Sequence, residues 1–294
     1  MKTICILGAV AGAAAAAPFD YASPTFDRWN YPFNQTPGVA PLASTFGPGF
    51  TPGLFDDKDG QFLTSYVTAG DVTPGAGASN YLVSSATLTV RSMSDMAFEY
   101  DPTYDSYRTH LLPNDGDWTP DTDAGRPLEV YGTAFRNGFD AFSFNEFGPW
   151  GFGDPTSEDL RNAFATDDGS RDVSNNIRDR FETTPWAIGQ IAGVAPGDLV
   201  PAGTGVTFEL DLGNPDVVAY LQHALNEGIV SLSVTSMATA VQGGPIVYPQ
   251  IATKENFGQD ASPARFSIEV EVVPAPGAGL SLLGLGAWRR RRRS

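Results

Sequence analysis

Apolar and polar residues alternate with period two in several short runs along the chain. Residues 62–68 are short and rich in β-formers. Within 81–93, Ser85-Ala86-Thr87-Leu88-Thr89-Val90 sets small and apolar side chains against hydroxyls. Runs 128–132, 206–212, 229–234 and 266–272 follow the same rule. Successive side chains of a strand point to opposite faces, so each run predicts a strand with one apolar and one polar face. Such strands suit antiparallel sheets packed on one side. Glycine- and proline-rich turns separate them. Many short strands joined in this way predict an all-β fold, a jelly-roll-like antiparallel sandwich with one or two short helices.

One segment has the helical period. Asn214 is a good N-cap, Pro215 fits the first helical position, and Asp216 sits at the positive end of the dipole. Val217, Leu221, Ala224 and Leu225 share a face, and Gly228 supplies the stop. This helix lies between two strand runs, where it is expected to plug one end of the sandwich. His223, on the helix beside apolar neighbours, reads as structural.

Residues 18–56 are rich in proline, glycine and aromatics, as in Asp27-Arg28-Trp29-Asn30-Tyr31-Pro32-Phe33-Asn34. Proline removes backbone donors, so this stretch predicts an extended arm, and its aromatics predict that the arm lies against the domain. Residues 57–273 then form the sandwich domain. No internal repeat or sustained heptad interrupts it.

The two ends read as addresses. Met1-Lys2-Thr3 is weakly positive, residues 4–17 are apolar and small, and Ala15-x-Ala17 and Ala14-x-Ala16 both fit a cleavage site. Residues 1–17 therefore predict a secretory signal peptide. Cleavage removes Cys5, the single cysteine of the chain, and with it any disulfide or cysteine-ligated zinc. At the other end, residues 274–294 hold a short apolar segment that stops at five arginines.

Charge sharpens this reading. The chain carries 18 basic and 34 acidic residues. Lys2 and the terminal arginines belong to the end segments, so the body holds 12 basic against 34 acidic residues, a net charge of −22. Phosphate binding needs basic patches, which excludes nucleic acid as a partner of the body. A solvated surface or divalent cations suit it better.

Candidate chemistry is sparse. The body has two histidines, His110 and His223, and no nucleophile elbow, zinc-protease motif or phosphate loop. No catalytic residue is assigned, and the chain is expected not to be an enzyme. A hydrolytic carboxylate pair among so many acids is the third choice. Acidic residues gather at Asp101, Asp105, Asp115, Asp117, Asp121 and Asp123, with Asn114, Gly116 and Gly125 between them. Hard cations take several oxygens from a flexible loop, so Asp115, Asp117, Asp121 and Asp123 are candidate calcium ligands; turn chemistry explains the same residues. The set 56–60 invites the same weighing. Phe139, Phe142, Phe144, Phe147, Trp150 and Phe152 are interleaved with glycines. Trp118, Phe147, Trp150 and Trp186 are candidate platforms for sugar rings, with packing against the core as the alternative.

The tail resembles the PEP-CTERM sorting signal of Gram-negative and related bacteria. Val273, Pro274, Ala275 and Pro276 stand where that family carries its Pro-Glu-Pro motif, with Ala275 in place of the glutamate. Arg289, Arg290, Arg291, Arg292 and Arg293 stand for its basic end. The twelve apolar residues between would span about 18 Å as a helix, short of a bilayer core of about 30 Å. The resemblance implies recognition by an exosortase-type processing enzyme, transient membrane contact through the tail, and export to the cell surface or beyond it. Asp27-Arg28-Trp29-Asn30-Tyr31-Pro32-Phe33, the run 85–90 and Thr253-Lys254-Glu255-Asn256 are similar to secreted planctomycete-type proteins with such tails. The strand-helix-strand ending is similar to cell-surface jelly-roll modules found beside carbohydrate-active enzymes. The expectation is an exported, non-enzymatic surface or matrix protein. A carbohydrate-binding module, with calcium as a stabiliser and polysaccharide as the partner, is the alternative.

Overall fold

The computed structural model describes residues 18–31, 34, 36–47, 57–148, 161–240, 244–256 and 262–273. Among them, twelve strands form two six-stranded antiparallel sheets. The first runs β1 (Pro18–Tyr21), β12 (Arg265–Val272), β5 (Tyr81–Ser92), β11 (Gln250–Ala252) and β3 (Leu42–Ser44), with β9 (Thr204–Glu209) on the other side of β5. The second runs β2 (Phe26–Asn30), β4 (Gln61–Val67), β10 (Ile229–Ser236), β6 (Leu128–Phe135) and β7 (Ala163–Thr166), with β8 (Ala187–Ile188) also paired to β6. The fold is an all-β sandwich; the five alternating runs are β5, β6, β9, β10 and β12, and the β-prone run 62–68 is β4.

The apolar faces meet between the sheets. Leu88, Val90, Val206, Phe208, Phe266 and Ile268 face Phe62, Tyr66, Val130, Val230, Leu232 and Val234 in one buried cluster. Each such side chain contributes about 1.5–3 kcal/mol by leaving water. In the first sheet the polar positions stay near the surface, as in β12, where Ser267 and Glu269 are half-buried and Glu271 is exposed.

The second sheet departs from the one-faced expectation. β10 is buried at all eight positions, including Ser231, Ser233 and Thr235. Connections after β6 and around β7 cover its outer face. That face survives without water because its hydroxyls pair with each other. Ser65 and Ser231 are 2.8 Å apart, and Thr133 and Ser233 likewise 2.8 Å. Alternation of Val with Ser reports two faces but does not say which is wet.

The described parts of residues 18–56 pack on the sandwich. They are also hydrogen-bonded into it: β1, β2 and β3 are strands of the two sheets. Trp29 stacks on Tyr31 with centroids 4.8 Å apart, and Tyr31 meets Phe46 edge-on at 5.5 Å.

The helix forms as expected, as α1 (Pro215–Glu227). Asn214 Oδ1 accepts from the Asp216 amide at 2.9 Å, and Gly228 closes the helix in the left-handed region at φ 92°. Val217, Leu221, Ala224 and Leu225 are its buried face. Gln222 Nε2 donates to Tyr81 O at 2.9 Å, so the helix seals the end of the sandwich where β5 starts. β1 and β12 are adjacent, with Pro18 opposite Glu269, and the Val273 amide donates to Asn80 O near the same end. The connection 93–127 lies at the opposite end, because β6 enters there with Leu128 opposite Ser236. Among the described residues no helix is long and apolar enough to cross a membrane.

Candidate functional site

The connection between β5 and β6 carries the acidic residues singled out by sequence, and the structure divides them. Asp115 and Asp117 clasp Arg180, each at 2.7 Å. The Arg180 guanidinium holds the Asp115 carboxyl below its ordinary range. Asp121 meets Arg126 at 2.6 Å, and the same guanidinium nitrogen reaches Asp105 at 2.7 Å. Asp123 accepts from Thr103 Oγ1 at 2.7 Å, a contact that lowers its pKa. Carboxylate oxygens of Asp101, Asp105 and Asp123 lie within 4.8 Å of one another. Burial raises Asp105 to about 6 against the pull of Arg126, and burial raises Asp101 as well. The four candidate calcium ligands thus do not form one site. Two serve Arg180, Asp121 shares Arg126 with Asp105, and Asp123 is joined to Asp101 through the Thr103 hydroxyl.

The aromatic candidates also divide. Trp186 is fully buried and cannot be a sugar platform. Its indole fills the space over Gly132, where a Cβ would collide with the ring, and its Nε1 donates to Asp167 O at 2.9 Å. Tyr220 meets it edge-on at 4.7 Å. A Pro- and polar-rich neighbourhood in sequence concealed a core residue. Trp118 is half-buried, and Phe147 is 63 % exposed. Trp150 and Phe152 lie outside the described residues. Phe144 is buried and packs against Phe135 and Phe139 at 5.7 and 6.2 Å, so this part of the aromatic run is core. A cleft of about 500 Å³ beside α1 is lined in part by Phe135, Phe139, Asp140, Asp168, His223 and Glu227. His223 lies on the helix surface, 3.3 Å from Glu227.

Two polar groups escape sequence reasoning. The first is enclosed beneath the loops of the second sheet. Lys58 Nζ lies 3.2 Å from Glu129 Oε2 and donates to Asn176 Oδ1 at 3.0 Å. Tyr131 donates to the same Glu129 oxygen at 3.0 Å, and its hydroxyl also pairs with Thr183 at 2.9 Å. Every member is buried and satisfied, which is the arrangement of a structural network.

The second group brings together Asp27 of β2, Glu146 of the connection after β6, and Glu255 between β11 and β12. Their carboxylate oxygens lie within 4.8 Å of one another. Asp27 faces Glu255, and Glu255 faces Glu146. Asp27 is completely buried, and burial pushes it up to about 7, with the Lys254 amide opposing. Burial, the contact with Glu146 and the charges of Asp27 and Glu146 push Glu255 to about 8. Lys254 Nζ reaches Glu146 at 2.7 Å and Thr25 O at 3.1 Å. The three acids are more than a hundred residues apart in pairs, so no local motif could reveal them. The nearest signal was an aspartate inside an aromatic run that proved to be a strand.

Comparison with known proteins gives no matching family model and no matching curated relative.

Proposed function

We propose that the chain is an exported, non-enzymatic protein of the cell surface or extracellular matrix, sorted by its PEP-CTERM-like tail. One observation carries this reading. The described sandwich opens with β1 (Pro18–Tyr21) and closes with β12 (Arg265–Val272), the strand that precedes Val273-Pro274-Ala275-Pro276. These strands are neighbours at the helix end of the sandwich, whereas the acidic connection 93–127 lies at the other end. A chain held by its tail would then present the acidic end outward. The connection 93–127 holds eight acids and two arginines, a surface that suits a hydrated, cation-containing exterior.

The experiment replaces Pro274 and Pro276 with alanine and follows the chain through cell fractions. The reading predicts that the variant stays unprocessed in the envelope while the parent reaches the surface or medium. Equal release of both would overturn it.

A carbohydrate-binding role is the second reading. It draws on Phe142 and Phe147, 60 % and 63 % exposed, on the loop whose Phe139 and Asp140 line the cleft beside α1. Stacking on a sugar would make Phe147→Ala lose polysaccharide retention with no loss of stability. Equal retention by parent and variant would remove this reading.

A further inference from the structure

We infer that Asp27, Glu146 and Glu255 form a calcium site that ties the N-terminal arm to both sheets. The inference rests on unserved oxygens. Asp27 Oδ1 and Glu255 Oε2 are buried, and among the described residues no N–H or hydroxyl donates to either, which leaves only a proton shared between the carboxyls themselves. A buried carboxylate oxygen without a donor is costly, and ionised carboxylates that face each other repel until a retained proton or a bound cation relieves them. The neighbouring cation does not meet that need. Lys254 Nζ is 2.7 Å from Glu146 Oε2 but 3.9 Å from Glu255 Oε1, and one ammonium stands against three acids. The Lys254 amide serves only the other Asp27 oxygen, Oδ2, at 3.0 Å. On the adjoining strand the buried Tyr66 lies near Asp27.

The donor set selects the ion. All three ligands are hard oxygens, and no histidine or cysteine belongs to the group, which favours calcium over zinc or copper. Calcium also accepts carboxylates in uneven geometry and completes its shell with water, whereas magnesium demands a near-ideal octahedron. Asp27 comes from an edge strand of the second sheet, and Glu255 from the connection into β12 of the first. An ion between them closes the sandwich along that side. The site shares no residue with the acidic connection 93–127, where Arg126 bridges Asp105 and Asp121, and it stands whether or not the tail is processed.

The test follows thermal unfolding of the full-length chain during titration with calcium chloride after chelator treatment. The parent is expected to gain roughly 5 °C in Tm at a hundredfold excess of calcium over its Kd. Asp27→Asn and Glu255→Gln should each weaken calcium binding at least tenfold by calorimetry, and Asp123→Asn should leave it unchanged. Lys254→Met provides a check that does not depend on losing a ligand. Removing the competing ammonium should tighten calcium binding and let calcium restore the variant's Tm. Three results would overturn the assignment: no calcium response in the parent, a response that survives both Asp27→Asn and Glu255→Gln, or a Lys254→Met variant that calcium does not restore.

Discussion

Lys58 and Glu129 show what a residue contributes when its charge is enclosed. Each is almost wholly buried, and Glu129 also accepts from Tyr131. Taking away the ammonium would leave a carboxylate in the interior with no counter-charge. Lys58→Met is therefore expected to cost about 3 kcal/mol in urea unfolding, well beyond a surface substitution. His110 makes a pH-dependent contribution of the opposite kind. Burial, with the charges of Arg126 and Lys58 nearby, holds its pKa well below the ordinary value. Above about pH 6.5 the imidazole is neutral in both folded and unfolded chains and has no effect. Below that, the unfolded chain takes a proton that the folded one refuses, so stability falls as pH drops from about 6.5 towards the folded pKa. Denaturation of parent and His110→Leu at pH 7 and pH 5 measures this. The parent should lose more stability between the two than the variant; equal losses would contradict the account.

At the scale of the element, α1 was legible because each of its signals acts locally. The cap, the proline, the apolar face and the stop lie within fifteen residues, and all four are used as expected. Asn214→Ala should cost about 1 kcal/mol, read as a lower midpoint in chemical denaturation with unchanged slope. The long strands were legible for the same reason, since six or more residues suffice to show period two. The strands β1, β2, β3, β7, β8 and β11 were not. They hold two to five residues each, too few for a period to show. β2 adds a second obstacle. Its Asp27 and Arg28 are both buried, and charged residues in a short run read as exposed. Arg28 is accommodated over the Phe144 ring at 4.5 Å and by donation to Asn145 O at 2.9 Å, contacts supplied from far along the chain.

For the whole molecule, sequence pattern foretold the sandwich but not its covering. The outer face of the second sheet is sealed by polar pairs that span long separations, such as Thr133 with Ser233 and Lys58 with Glu129. The candidate site follows the same logic. Acids adjacent in sequence, Asp115 and Asp117, turned out to serve one arginine. Acids distant in sequence, Asp27, Glu146 and Glu255, turned out to meet. Trp186 was left open between a sugar platform and core packing, and its contacts with Gly132 and Tyr220 decide for the core. The sandwich sits between two end segments that leave adjacent strands, and the proposed role depends on how those segments are treated. The decisive measurement is the intact mass of the protein recovered from the surface or medium of producing cells. The account predicts a chain that lacks residues 1–17 and has lost its arginine-rich end. A mass that retains Arg289 to Arg293 on most of the exported protein would contradict it.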